Sequence, residues 1–347
     1  MQNLPYYRQP MDDIKEIELN RPQALLHIIN ANKTYGMWGR GTGKSNGGLG
    51  PRIIHLMNEM PRAQIGLVVP TYEMAFNKII GNIASFWQNV MGMVEGDDYV
   101  IGVKPPDEWQ KPIIPIFKYT NVISFSNGCI MPILSLAVEG AGNGFNLQAL
   151  VGDEAKFFNE KKLKEIQRAL RGGFKEFGHL AEFQSEWYFT DKLDGDIQWL
   201  LNKRKLVNQK VIDAVISMQL KVNELKETDP QNSKIEYYTE LLAKARKNLV
   251  YVSEASTYEN ADILGEKYFA DQKESSTDIE FNVAIKNEDP TRVENSFYPQ
   301  LKEHHFYNLP DDVDTTKPLI IAADYQWRIS PIVQAQYRIL PTHKEPT

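Results

Sequence analysis

The chain has 347 residues and a formal net charge of −6, which argues against a coat protein that binds nucleic acid through many phosphate contacts but not against a motor gripping DNA through a local patch. Apolar and charged fractions (42% and 24%) are those of an ordinary globular protein, and the length suggests two domains or one with a large appendage. Cys129 is the only cysteine, so no intrachain disulfide can form; no apolar run is long enough to span a bilayer, and residues 1–10 lack the apolar core of a signal segment.

Residues 1–33 are a lead-in, with a helix expected over 21–29 and Pro22 in its first turn. Tyr6, Tyr7 and Gln9 are candidates to stack on a nucleobase, although a surface terminus is an equally good reading. A short strand is expected over 34–38 and a helix over 46–60. Between them stands Gly39-Arg40-Gly41-Thr42-Gly43-Lys44-Ser45, which reads as a phosphate-binding loop. Such a loop turns backbone N–H groups and a helix N-terminus toward an anion, and Gly41 and Gly43 let the backbone approach without a Cβ in the way. Lys44 supplies a point charge for the β- and γ-phosphates, and Ser45 a hydroxyl ligand for Mg²⁺. The fit is imperfect, because Trp38 stands where the pattern G-x-x-x-x-G-K-[ST] begins with glycine.

A buried strand is expected over 64–69, then a helix over 72–90 with Met74, Ile79, Ile80, Ile83 and Phe86 near one face. Residues 95–119, rich in Pro and Gly, read as an irregular excursion. Asn127-Gly128, flanked by 121–126 and 129–136, is a strong hairpin signal. Gly140-Ala141-Gly142-Asn143-Gly144 lacks the Lys and Ser/Thr of a phosphate loop and reads first as a flexible loop, with lining of a DNA path or nucleotide as the sharper alternative. The apolar run 147–152 ends in Asp153-Glu154. Asp153 can hold Mg²⁺, and Glu154 can orient or deprotonate an attacking water. The loop and the acidic pair, in this order, point to an ATPase with ATP and Mg²⁺ as its ligands. Arg168 and Arg171 are arginine-finger candidates, although a solvated helix face is the commoner reading. A strand over 186–190 follows. The alternation predicts a largely parallel α/β sheet in three layers, with Gly43, Asp153 and Thr190 at the carboxyl ends of strands.

Residues 197–252 read as an antiparallel helical hairpin. Its seam runs through Val211, Val215, Met218, Val222 and Leu225, then Ile235, Tyr238, Leu242, Ala245, Leu249 and Val252. Lys203, Arg204, Lys205, Lys244, Arg246 and Lys247 are candidates for DNA phosphates, with ordinary solvated charge the better bet. A helix over 261–272, a polar lid or linker over 277–307, surface histidines His304 and His305, a boundary over 310–318 and strands over 319–323 and 332–339 complete the chain.

Gly39 to Ser45 resembles the Walker A loop of large terminase subunits, the DNA-packaging ATPases of tailed phages, and Asp153-Glu154 matches that family's Walker B pair. The resemblance implies that Arg40 acts in cis on the γ-phosphate. It also implies that Tyr188-Phe189-Thr190-Asp191 is the coupling motif, with Thr190 sensing that phosphate. Val69-Pro70-Thr71, residues 255–260 and Phe297-Tyr298-Pro299 resemble further family segments, and 320–324 resembles the first nuclease strand with its metal-binding Asp324. The architecture so implied is a RecA/ASCE-like P-loop core over 1–196, a helical hairpin and lid or linker over 197–310, and the start of an RNase H-like domain over 311–347. An RNase H-like site needs several carboxylates on two metal ions about 3.5–4 Å apart; after Asp324 only Glu345 follows, so no nuclease activity is expected. The implied function is ATP-driven translocation of double-stranded DNA into a procapsid. The implied partners are the portal protein, the small terminase subunit and further copies in a ring, with a monomer in isolation and no membrane. The implied place is the host cytoplasm and, transiently, the portal. Another DNA-dependent translocase or helicase is the alternative.

Overall fold

The structure, a computed structural model, describes residues 18–290 and the strands Ile320–Ala323 and Ile332–Ala335. Tyr6, Tyr7, Gln9, residues 297–299, His304, His305, Asp324 and the 310–318 boundary lie outside the described residues.

Eight strands form one sheet: β1 (Lys33–Trp38), β2 (Ile65–Val69), β3 (Tyr99–Ile101), β4 (Val122–Phe125), β5 (Ile130–Ser135), β6 (Ala149–Gly152), β7 (Ser185–Thr190) and β8 (Val250–Ala255). Their order is β3-β4-β5-β2-β6-β7-β1-β8. The six from β5 to β8 are parallel, and β3 and β4 extend the edge in antiparallel fashion. Strands with both faces covered should be apolar throughout, as Ile65–Val69 and Ala149–Gly152 are. Alternation along each strand then feeds two cores. Trp38, Leu67 and Phe189 join Leu49, Ile53, Ile83, Phe86 and Trp87 on one face. Met37, Val68 and Tyr188 join Leu163, Ile166, Trp199 and Leu200 on the other. Helices Gly50–Glu59 and Ile80–Asn89 supply the first layer, Glu160–Gln167 and Gln198–Leu201 the second. This is the three-layer α/β arrangement expected from the sequence.

The hairpin at Asn127-Gly128 is present, with Ser124 opposite Ile130 and Gly128 at φ +80°. Cys129 is fully buried, as expected of a core residue. Residues 95–119 are not wholly irregular: Tyr99–Ile101 pairs with β4 between turns at Gly96 and Gly102, both at positive φ.

One correction concerns the second half. The helical hairpin is Gln209–Thr228 and Lys234–Arg246, so its seam stops short of Leu249 and Val252. After Arg246 the chain becomes β8 and lies beside β1, Lys33 opposite Val250 through Trp38 opposite Ala255. Val250 and Val252 pack toward one core and Tyr251 toward another, as successive strand residues do, while Val252 also happens to continue the helical spacing. The hairpin packs on the lead-in, Ile212, Val215, Val222 and Leu242 closing over Ile29 and Ala31, with Leu249 joining them from the turn before β8. Residues 197–289 therefore belong to the same compact unit as the sheet, the two units being Met1–Asp289 and Pro290–Thr347. In the second unit Ile320–Ala323 pairs antiparallel with Ile332–Ala335.

Candidate active site

β1 delivers the loop. The Trp38 ring turns into the core, edge-on to Phe189 at 5.6 Å, and its Nε1 donates to Ser253 Oγ at 2.9 Å. Only its carbonyl meets the loop, which is why a tryptophan can stand where the pattern has glycine. The next residue has no such freedom: a Cβ on Gly39 would lie 2.5 Å from Thr257 Oγ1 and 3.0 Å from the Ala284 carbonyl. Gly41 and Gly43 adopt φ +81° and +83°, where a side chain is strained.

The loop carbonyls are drawn outward. Thr257 Oγ1 donates to Arg40 O (2.8 Å) and Asn260 Nδ2 to Gly41 O (2.8 Å). Asn20 Nδ2 donates to Thr42 O (3.1 Å), and Gln23 Nε2 to the carbonyls of Thr42 and Gly43 (3.2 and 3.3 Å). The N–H groups of Gly43, Lys44 and Ser45 find no acceptor among the described residues. Carbonyls out and N–H groups in make a nest for an anion at a helix start. That helix opens with a wide turn, Lys44–Leu49, and continues as Gly50–Glu59.

Lys44 is folded onto the loop, its Nζ donating to Trp38 O (3.0 Å) and Gly39 O (3.2 Å). Burial lowers its pKa, while the charges of Asp191, Asp153 and Glu154 act the other way. Those three acids thus lie close enough to act on the Lys44 charge, as expected of groups at neighbouring ends of parallel strands. Asp153 and Glu154 follow β6, and β7 stands between β6 and β1. Asp153 is buried and accepts from the Glu154 N–H at 2.9 Å. Burial, then the Glu154 charge, raises its pKa to about 6. Glu154 takes a left-handed backbone, φ +58°, and its Oε2 is buried with no hydrogen-bond partner.

Thr190 closes β7. Its Oγ1 accepts from the Lys156 N–H (3.2 Å) and donates to Asp191 O (2.9 Å). Asp191 pairs with Lys156 Nζ at 2.8 Å and with Arg40 Nε at 3.6 Å. Burial would raise the Asp191 pKa, but Lys156 and Lys44 hold it below the ordinary value. Arg40 is half-exposed and also stands 3.9 Å from Asp194.

A magnesium ion binds through one or two carboxylates and substrate phosphates rather than an all-protein cage. The residues fit that demand: Asp153 is a buried acid that a cation would relieve, and Ser45 lies in the first turn of the helix that follows the loop.

Several site residues are not anticipated from the sequence. Asn20 and Gln23 form a capping box on helix Arg21–Ile29, a signal present in the sequence, and reach the loop from there. Asp278–Ala284 and the following turn, expected to be lid or linker, form the loop's rear wall: Arg40 N–H donates to Ala284 O and Asn287 Nδ2 to Met37 O. The pairing of Lys156 with Asp191 gives no sequence signal beyond flanking charge. Among the basic candidates, Arg204 is committed to Glu254 and Asp289, and Arg246 to the carbonyls of Ile28 and Ile29. Arg168 and Arg171 line a polar cavity of about 370 Å³ with Gly140, Gly142 and Asn143, and no crevice residue borders it.

No family model and no curated protein matches the chain. Among solved structures it is similar to the large terminase of a thermophilic bacteriophage, with a TM-score of 0.50 at 10% identity, over 94% of this chain and 66% of that one. The large terminase ATPase domain of Thermus phage P74-26 gives 0.44 at 11% identity over 78% and 94%, and the Phi-28 gp11 DNA packaging motor 0.38 at 11% over 93% and 81%. The chain spans just under two-thirds of the first of these proteins, and at this identity the likeness is one of fold. The other two superpose too loosely to carry an argument. The shared fold is a three-layer α/β arrangement around a mainly parallel sheet.

Proposed function

We propose that this chain is the ATP-hydrolysing motor portion of a large terminase, which drives double-stranded viral DNA into a procapsid. One observation supports the reading: Arg40 of the glycine loop reaches Asp191 at 3.6 Å, Asp191 pairs with Lys156, and Lys156 lies 3.8 Å from Glu154, whose Oε2 is buried with no hydrogen-bond partner. The likeness of fold to the thermophilic phage's large terminase supports it.

In this reading the N–H groups of Gly43 to Ser45 cradle the phosphates, and Lys44 leaves the Trp38 and Gly39 carbonyls for the β- and γ-phosphate oxygens. Ser45 and Asp153 would hold Mg²⁺, which when bound would neutralise phosphate charge. Glu154 orients a water and takes its proton as the water oxygen bonds to the γ-phosphorus and the bond to the ADP oxygen breaks. Arg40 releases Asp191 and stabilises charge on the γ-phosphoryl group. Thr190, at the end of the strand between the two motifs, carries the outcome to the DNA-gripping surface.

The partners in this reading are double-stranded DNA, the portal protein, the small terminase subunit and further copies of the chain in a ring on the portal. The place is the host cytoplasm, transiently at the procapsid. The test is ATP turnover with and without double-stranded DNA, alongside displacement of a third strand from a duplex track. Stimulation by duplex with third-strand displacement is expected. Separation of the two duplex strands would favour a helicase, and turnover of GTP at the expense of ATP would contradict the reading.

A further inference from the structure

Lys156 is 5% exposed, two residues beyond Glu154 on the short helical turn Ala155–Phe157, and the reaction as described does not use it. Its Nζ lies 2.8 Å from Asp191 Oδ1 and 3.8 Å from Glu154 Oε2, the oxygen that accepts no hydrogen bond. Its backbone N–H is held by Thr190 Oγ1, and a Cβ at Gly195 would meet its side-chain carbons at 2.6 Å. Its stem is therefore confined on one side by backbone and on another by the end of β7. A buried ammonium needs its charge matched, and Asp191 alone does that. The approach to Glu154 is additional, and it comes from the side chain that the end of β7 fixes in place.

We propose that Lys156 is a positioning residue for Glu154. It holds the water-activating carboxylate on its line into the crevice, and Thr190 and Asp191 hold Lys156. The inference rests on the proposed function. It gives the end of β7 a physical route to the base: hydroxyl to backbone, ammonium to carboxylate. The rival account is that Lys156 only neutralises buried Asp191.

Single-turnover ATP hydrolysis and ATP-γ-S binding by Lys156→Met, Glu154→Gln and the double variant separate the two. Lys156→Met is expected to slow hydrolysis at least about tenfold while ATP-γ-S affinity stays within roughly threefold. In the Glu154→Gln background the same change is expected to alter the residual rate by less than about twofold, because its target is gone. An equal factor in both backgrounds, or no slowing in either, would overturn the proposal. Removing Lys156 leaves buried Asp191 with only the longer contact to Arg40 as an ion pair. Should Lys156→Met not fold, Lys156→Met/Asp191→Asn against Asp191→Asn makes the same comparison, and a ratio near one overturns it. If Glu154→Gln itself hydrolyses at the wild-type rate, what fails is the assignment of the base, a different result from either.

Discussion

Asp153 sits in the fold under protest. Its carboxyl has an ordinary pKa of 3.8 in the unfolded chain and about 6 when folded, because burial and the neighbouring Glu154 charge both disfavour ionisation. Between those values the folded protein keeps a proton that the unfolded chain has lost. The Asp153 contribution therefore lowers stability as pH rises from about 4 to about 6 and is flat above. At about 1.4 kcal/mol per pH unit the cost at neutral pH is on the order of 3 kcal/mol, an upper figure. Asp153→Asn should then be more stable than the parent at pH 7.5 and nearly equal to it at pH 4, measured by urea unfolding at both values, while ATP turnover is largely lost. A variant no more stable than the parent at pH 7.5 would contradict the account of this carboxyl. Glu182 runs the other way. Burial would raise it, but the His55 hydrogen bond and the Arg52 charge hold it at about 2. Its contribution is complete above about 4.5 and fades as pH falls toward 2. Glu182→Gln is expected to shift the acid unfolding midpoint upward, as a pH titration of near-ultraviolet circular dichroism would show.

At the scale of elements, the loop depends on how tightly its neighbours close around it. Gly39→Ala would push a methyl group into Thr257 Oγ1 and the Ala284 carbonyl, both backed by packed structure. Overpacking of this kind costs about 1–3 kcal/mol, and here the relief available is to move the loop. A lower unfolding temperature and markedly weaker binding of a fluorescent ADP are expected; binding at parental strength would show that the rear wall does not hold the loop. The loop and the acidic pair were legible in the sequence because their chemistry lies in residue types at fixed spacing. The rear wall was not, because nothing in Asp278–Ala284 says which strand end it will back. β8 was hidden for a different reason: Val252 falls on the spacing of the helical seam and equally well within a strand, and only pairing with β1 decides. β3 was too short for alternation to register.

For the molecule as a whole, the helical hairpin and the sheet act as one body. Leu242 is 2% exposed and packs in the cluster that also holds Ile29 and Ala31, immediately ahead of β1. Leu242→Ala should cost about 2–5 kcal/mol and still give a single cooperative transition; a separate early transition for the hairpin would contradict this. Arg204 and Lys192 draw Glu254, near the end of β8, and Asp289 together, so Arg204, read in the sequence as a possible DNA contact, is used to tie the last residues of the unit to its sheet. Sequence periodicity showed that a parallel three-layer sheet would form, but not which of its charges would be consumed internally, since ion pairing between distant segments leaves no local pattern. The central claim is that a triphosphate lies between the glycine loop and Glu154, which removes a proton from water. Its most direct test is single-turnover hydrolysis by Glu154→Gln, with ATP binding measured on the same sample and Lys44→Ala as the control that loses binding. Binding should be retained while hydrolysis falls roughly 10²–10⁴-fold, the range for removing a general base; hydrolysis at the parental rate would contradict the claim.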